Sequence, residues 1–221
     1  NARGPTVRMH SSDSPHQNQP LVTAGSNLDD ADAAMILLHG RGATARSVLQ
    51  LTNHFEVENI AYLAPQAAGN TWYPNPFTAP VESNEPGRTS GLRAIGGAIS
   101  EAESAGIPTA NTVLLGFSQG ACLASEFAAR NPDRYGGLVA LSGGLIGESI
   151  DPGAYDGDLD GTPVFLGCSD SDPHIPAERV HESAAVFDRL GGDVTKRLYE
   201  GMGHGINDDE IEFVSGLLAD L

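Results

Sequence analysis

Apolar residues along this chain gather into short unbroken runs, with longer segments of helical periodicity between them. The runs AAMILLHG at 33–40, IAYLAPQ at 60–66, TVLLGFS at 112–118, GGLVALSGG at 136–144, TPVFLGCSD at 162–170 and VTKRLYEG at 194–201 mostly lack in–out alternation. Strands of this kind are buried on both faces, as in a parallel sheet covered by helices. The intervening segments ARSVLQLTNHF at 45–55, SGLRAIGGAISEAESAG at 90–106, QGACLASEFAARNP at 119–132 and PAERVHESAAVFDRLGG at 176–192 predict helices. A last one, NDDEIEFVSGLLADL at 207–221, opens on a capping residue, Asn207, followed by acids that suit the helix dipole. Alternation of strand and helix predicts one α/β domain over 21–221, a mainly parallel sheet with helices on both faces. The polar, proline-containing residues 1–20 are expected to form a flexible arm, the eight ahead of Met9 an appended remnant. Residues 74–90, rich in proline and polar side chains, make the longest irregular stretch, of the kind that is functional or mobile.

One of these strand-to-helix junctions carries chemistry. In LLGFSQGACLASEFA at 114–128, Ser118 sits between Gly116 and Gly120. G-x-S-x-G between a buried strand and a helix is the nucleophile elbow, a sharp turn whose flanking positions admit only minimal side chains. The simpler alternative is a glycine–serine connector. A serine hydroxyl needs a base, and in this arrangement the chain order is Ser, then Asp or Glu, then His. His10 and His16 lie in the arm, His39 and His54 precede the serine, His174 adjoins a candidate acid and His181 falls in a helical pattern. His204, in YEGMGHGIND after the last strand, stands where the base belongs. Asp170 and Asp172 compete for the third place. Asp172 is favoured because Pro173 holds it extended, while Asp170 is suited to capping the turn or holding the loop. Two backbone N–H groups are expected to face the developing oxyanion, one from Gln119 and one from Arg41 in LLHGRGAT.

Charge narrows the class of partner. Twelve Lys and Arg stand against 29 Asp and Glu, a formal net charge of −17, and Lys196 is the sole lysine. Such a field repels nucleic acid and anionic membranes, and it points to a salt-rich setting in which screening relieves self-repulsion, the plainer alternative being an ordinary acidic cytosolic protein. No apolar run approaches the ~18 residues of a membrane span, and residues 1–20 lack the apolar stretch of a secretory signal, so a cytoplasmic protein is expected, monomeric or homodimeric. The two cysteines, Cys122 and Cys168, are too few for a disulfide framework and read as buried thiols. Asp156, Asp158 and Asp160 have a loose calcium-loop spacing without the later glutamate, so no metal site is assigned.

GFSQG, LLHGRG, the Asp172–Pro173 pair and GMGH, in this order, resemble the phospholipase/carboxylesterase family of α/β-hydrolases, over roughly residues 30 to 221. The resemblance implies an α/β-hydrolase fold and a cofactor-free hydrolase. It also implies a Ser118–Asp172–His204 triad with oxyanion amides from Arg41 and Gln119, and an acyl pocket partly lined by the loops around Trp72 and Phe117. Trp72, the only tryptophan, either walls the substrate or anchors its loop on the core. The chain departs from the H-G-L-G-D of the thioesterase branch by reading His39-Gly40-Arg41-Gly42-Ala43. The Arg41 side chain either binds an anionic substrate group or pairs with a local carboxylate. The expected activity is hydrolysis of short- to medium-chain carboxylic esters, small molecules, through an acyl-enzyme on Ser118. Lysophospholipase or acyl-thioesterase activity is the nearest alternative, and a non-catalytic binding protein on the same fold the more distant one.

Overall fold

The computed structural model describes residues 13–221 and forms one seven-stranded sheet in the order β1-β3-β2-β4-β5-β6-β7. The strands are β1 Leu21–Gly25, β2 Ala33–Leu38, β3 Ile60–Pro65, β4 Thr112–Phe117, β5 Gly137–Leu141, β6 Pro163–Ser169 and β7 Asp193–Tyr199. β1 runs antiparallel to β3, and every other pairing is parallel. Helices α1 Ala45–Leu49, α2 Gly87–Ser104, α3 Gln119–Arg130, α4 Ala177–Arg189 and α5 Asp208–Ala219 cover both faces. Alternate residues of one strand serve the two faces, since successive side chains of a strand point oppositely. Ile36 and Leu38 belong to one core cluster, together with Ile95 of α2, Leu123 of α3 and Phe187 of α4. Met35 and Leu37 belong to the cluster on the other face, together with Val48 and Leu49 of α1 and Val214 and Leu218 of α5. The predicted α/β-hydrolase architecture is therefore the one observed, in a single layer-cake of helix, sheet and helix.

The structure corrects several expectations in detail. β1 is an additional edge strand, five residues long with alternating exposure. The helix expected over 45–55 is a five-residue α-helix, Ala45–Leu49, continued by a 3-10 turn, Gln50–His54. Residues 1–12, with the proposed remnant, lie outside the described residues. From residue 13 the arm is docked: Ser14 and His16 are buried, and His16 donates through Nε2 to Trp72 O at 2.8 Å. Its Nδ1 accepts from Ala68 N at 3.0 Å, so the ring is held neutral, and burial lowers its pKa. Residues 74–90, read as irregular throughout, are regular in part. A 3-10 turn at Val81–Asn84 and the first turn of α2 fall within them. Buried Asn84 accepts from Asn75 N at 2.8 Å and donates to Pro76 O at 3.1 Å, pinning the stretch across itself.

Candidate active site

The C-terminal ends of parallel strands converge at one crevice, where ligand sites of open α/β sheets lie. The elbow follows β4. Ser118 is the residue before α3 and has φ 56° and ψ −119°, a strained conformation for a side chain with a Cβ. Its glycines are sterically compelled. A Cβ at Gly116 would lie 2.2 Å from Gly120 O, and one at Gly120 would lie 2.1 Å from Leu38 O. The turn is thus so tight that strand β4, helix α3 and the end of β2 touch backbone to backbone.

Ser118, His204 and Asp172 form a continuous hydrogen-bonded line. Ser118 Oγ is 2.8 Å from His204 Nε2, and His204 Nδ1 is 2.6 Å from Asp172 Oδ2. A carboxylate only accepts, so the imidazole proton sits on Nδ1 and Nε2 is left to accept from the serine hydroxyl. The Asp172 side chain is fully buried, with Oδ1 accepting from His174 N at 2.8 Å and Ile175 N at 3.1 Å. Asp170, the competing acid, instead accepts from Gly201 N at 3.0 Å and ties the β7 end to the β6 end. Ser169, unnoticed in the sequence, sits between the acid and base loops: its Oγ accepts from Gly203 N at 3.0 Å and Ser171 N at 3.3 Å. Past His204, Asn207 and Glu210 make a reciprocal capping box on α5. Glu210 is buried, and burial pushes its carboxyl up to about 7.

A cavity of about 580 Å³ opens on Ser118 and His204. Tyr73, Pro74, Pro76, Phe77, Cys122 and Ile175 give it an apolar wall, while Arg41, Gln119 and His174 supply its polar edge. Arg41 and Gln119 therefore both stand beside Ser118, and neither backbone N–H has an acceptor among the described residues. The two expected wall residues do not line this cavity. Trp72 is completely buried, its indole N–H donating to His39 O at 2.9 Å, which makes it the anchor of its loop. Phe117 stands behind the base, with its ring 5.1 Å from that of His204. The wall comes from the residues just after Trp72. Their sequence, YPNPF, looks like any proline-rich loop, and only the fold shows which side chains turn inward. Cys122 also lines the cavity, one helical turn beyond Ser118, and burial raises its thiol to about 11, favouring the protonated form. Cys168 is buried as well, and burial pushes its thiol to about 12. Among the described residues no group of three or more His, Cys, Asp or Glu is placed to hold a metal ion.

A mainly parallel sheet with an elbow serine, a late histidine and an acid after β6 defines an α/β-hydrolase. The model of the phospholipase/carboxylesterase family matches residues 20–220, and the chain belongs to that family. Acyl-protein thioesterase 1 of Saccharomyces cerevisiae is 26% identical over 225 residues, spanning 89% of this chain and 96% of the yeast protein. Acyl-protein thioesterase 1 of Kluyveromyces lactis is 35% identical over 130 residues, and there the chain spans only 57% of the relative's length. Among solved structures, a phospholipase/carboxylesterase from Dyadobacter fermentans is 40% identical, with a TM-score of 0.88 over 91% of this chain and 97% of that one. The Bacillus cereus carboxylesterase shares the fold at 17% identity, with a TM-score of 0.70 over 94% of this chain and 96% of that one.

Proposed function

We propose that the protein is a serine carboxylesterase for short- to medium-chain esters of small alcohols. The observation that carries this reading is the Ser118–His204–Asp172 line opening onto an apolar cavity of about 580 Å³. His204 Nε2 takes the Ser118 proton as Oγ attacks the ester carbonyl carbon, and Asp172 stabilises the imidazolium that forms. The N–H groups of Arg41 and Gln119 hold the oxyanion, each worth about 3 kcal/mol of transition-state stabilisation. The tetrahedral intermediate collapses, the carbon–oxygen bond to the alcohol breaks, and His204 gives its proton to the alcohol oxygen. Water then attacks the acyl-enzyme with the same base, releasing the carboxylic acid and restoring Ser118.

The fixed stretch beside the cavity supports soluble rather than aggregated substrates. The stretch over the cavity is pinned by Asn84 and by Gly147 N–H donating to Phe77 O at 2.8 Å, so it does not resemble a lid that opens on an interface. No helix among the described residues is long and apolar enough to cross a membrane. Acyl-thioester hydrolysis is the second reading, favoured by the yeast relative that aligns along nearly its whole length. Both reactions use the same acyl-enzyme, so the leaving group alone separates them.

The test is turnover of a p-nitrophenyl ester series from acetate to palmitate by the wild type and Ser118→Ala. Turnover peaking at short or medium chains and lost in the alanine variant is the expected result. A Ser118→Ala variant as active as the wild type, or a wild type silent on every ester but active on acyl thioesters, would remove the carboxylesterase reading.

A further inference from the structure

The two oxyanion donors come from different parts of the fold, Arg41 from the loop after β2 and Gln119 from the start of α3. Their side chains converge on one run of four residues, 72–75. The Gln119 amide accepts from Trp72 N at 2.7 Å and donates to Tyr73 O at 2.8 Å. The Arg41 guanidinium donates to Pro74 O at 3.1 Å and to Asn75 O at 2.9 Å. Among the described residues it meets no carboxylate but spans two consecutive carbonyls, a task suited to the fixed fork of arginine and unsuited to the point charge of lysine. The same segment is stitched to the neighbours of Arg41. Gly42 N donates to Asn70 O at 2.7 Å, and the Trp72 indole N–H donates to His39 O at 2.9 Å.

We infer that residues 70–75 form a template that sets the two oxyanion N–H groups relative to each other, and that the Arg41 side chain is the positioning residue that locks it. The inference rests on the esterase reading above. Gly42 has φ 75°, and a Cβ added there would meet no atom within 4 Å, so this side of the loop is open and unsupported by packing. The clasp supplies the missing constraint. It also places the apolar wall, because Tyr73, Pro74 and Pro76 follow wherever residues 72–75 are held. Arg41 thus acts on the transition state through its own backbone amide, which every substitution except proline retains. Substrate affinity is affected less, since the carbonyl of a bound ester bears little of the charge that the amides are aimed at.

Arg41→Met is the test, with Arg41→Lys beside it, each checked by its thermal midpoint. Arg41→Met is expected to lower kcat for p-nitrophenyl butyrate tenfold or more with KM within threefold, and to weaken phenylboronic acid, which forms a tetrahedral adduct on Ser118, by a similar factor. Arg41→Lys is expected to recover only part of the loss. Acrylamide quenching of Trp72, the only tryptophan, is expected to rise in Arg41→Met and so to report loosening of the template independently of turnover. An unchanged kcat and boronate affinity, or a loss confined to KM, would overturn the positioning role while leaving the esterase reading intact. A wild type without Ser118-dependent turnover would overturn both.

Discussion

At Ser118 the backbone adopts a conformation that side chains with a Cβ rarely take, and the surrounding contacts hold it there. The glycines on either side follow from distance alone. Gly120→Ala would drive a methyl group to 2.1 Å from Leu38 O, a backbone atom with no room to withdraw. The expected outcome is a loss of about 3 kcal/mol or more, seen as a thermal midpoint lowered by ~6–12 °C in differential scanning calorimetry. A midpoint within a degree of the wild type would show that the elbow tolerates the group. Single residues were legible in the sequence to the extent that a motif or chain order names them. Ser118, Asp172 and His204 answer to the elbow, to the extended geometry before proline and to their order along the chain, and the structure brings those three together. Trp72 had no such signal. An aromatic in a proline-rich stretch can face a substrate or the core, and its bond to His39 O becomes visible only once β2 and the 70–75 segment are side by side.

Helix α5 shows how an element behind the site is tuned. Its capping box needs Glu210 at the third helical position, yet that carboxyl lies against Gly167 of β6, where a Cβ would meet Oε2 at 2.2 Å. Burial raises its pKa from 4.5 to about 7, so between those values the folded protein binds more protons than the unfolded chain. Stability from this group is therefore full below about pH 4.5 and declines as pH rises through 7, opposite in sign to a salt-bridged carboxylate. Glu210→Gln keeps the acceptor for Asn207 N without the ionisation. It is expected to match the wild type near pH 4.5 and to exceed it at pH 8 by up to about 3 kcal/mol, measured by urea unfolding at both values. Equal stabilities at pH 8 would show that the carboxyl ionises without penalty. Elements as long and apolar as β2 to β6 were readable from composition. The five-residue β1 was not, because exposure on one face and an antiparallel neighbour leave too short a pattern to read. Nor was the docking of residues 13–20, where the His16 ring finds Trp72 O and Ala68 N and Gln17 exchanges bonds with Ser90.

Across the whole molecule, a formal charge of −17 is spread over a surface with few cations to offset it. Several of those cations are committed to internal bonds. Arg88 pairs with buried Glu126 at 2.6 Å, Arg179 donates to Leu145 O at 2.8 Å, Arg134 to Asp160 O at 2.9 Å, and Arg41 spans Pro74 and Asn75. Arginines used this way brace loops, and since their charges are already counted in the net −17, an acidic excess remains over the exterior. The folded state therefore carries more self-repulsion than its unfolded chain, in which the same charges stand farther apart. Salt shortens the range of that repulsion from ~10 Å at 0.1 M to ~3 Å at 1 M. The exposed pair Arg197–Asp209, at 2.9 Å, weakens over the same range, but a surface pair contributes little. The net expectation is a thermal midpoint that rises with potassium chloride between roughly 0.1 and 2 M. A relief of about 3 kcal/mol would appear as a rise of ~6–12 °C. Chloride is the informative anion here, because sulfate strengthens apolar burial in any protein whatever its charge. A midpoint that stays flat in chloride and rises only in sulfate would show that the acidic surface is not under strain, and the salt-rich setting read from composition would lose its physical basis.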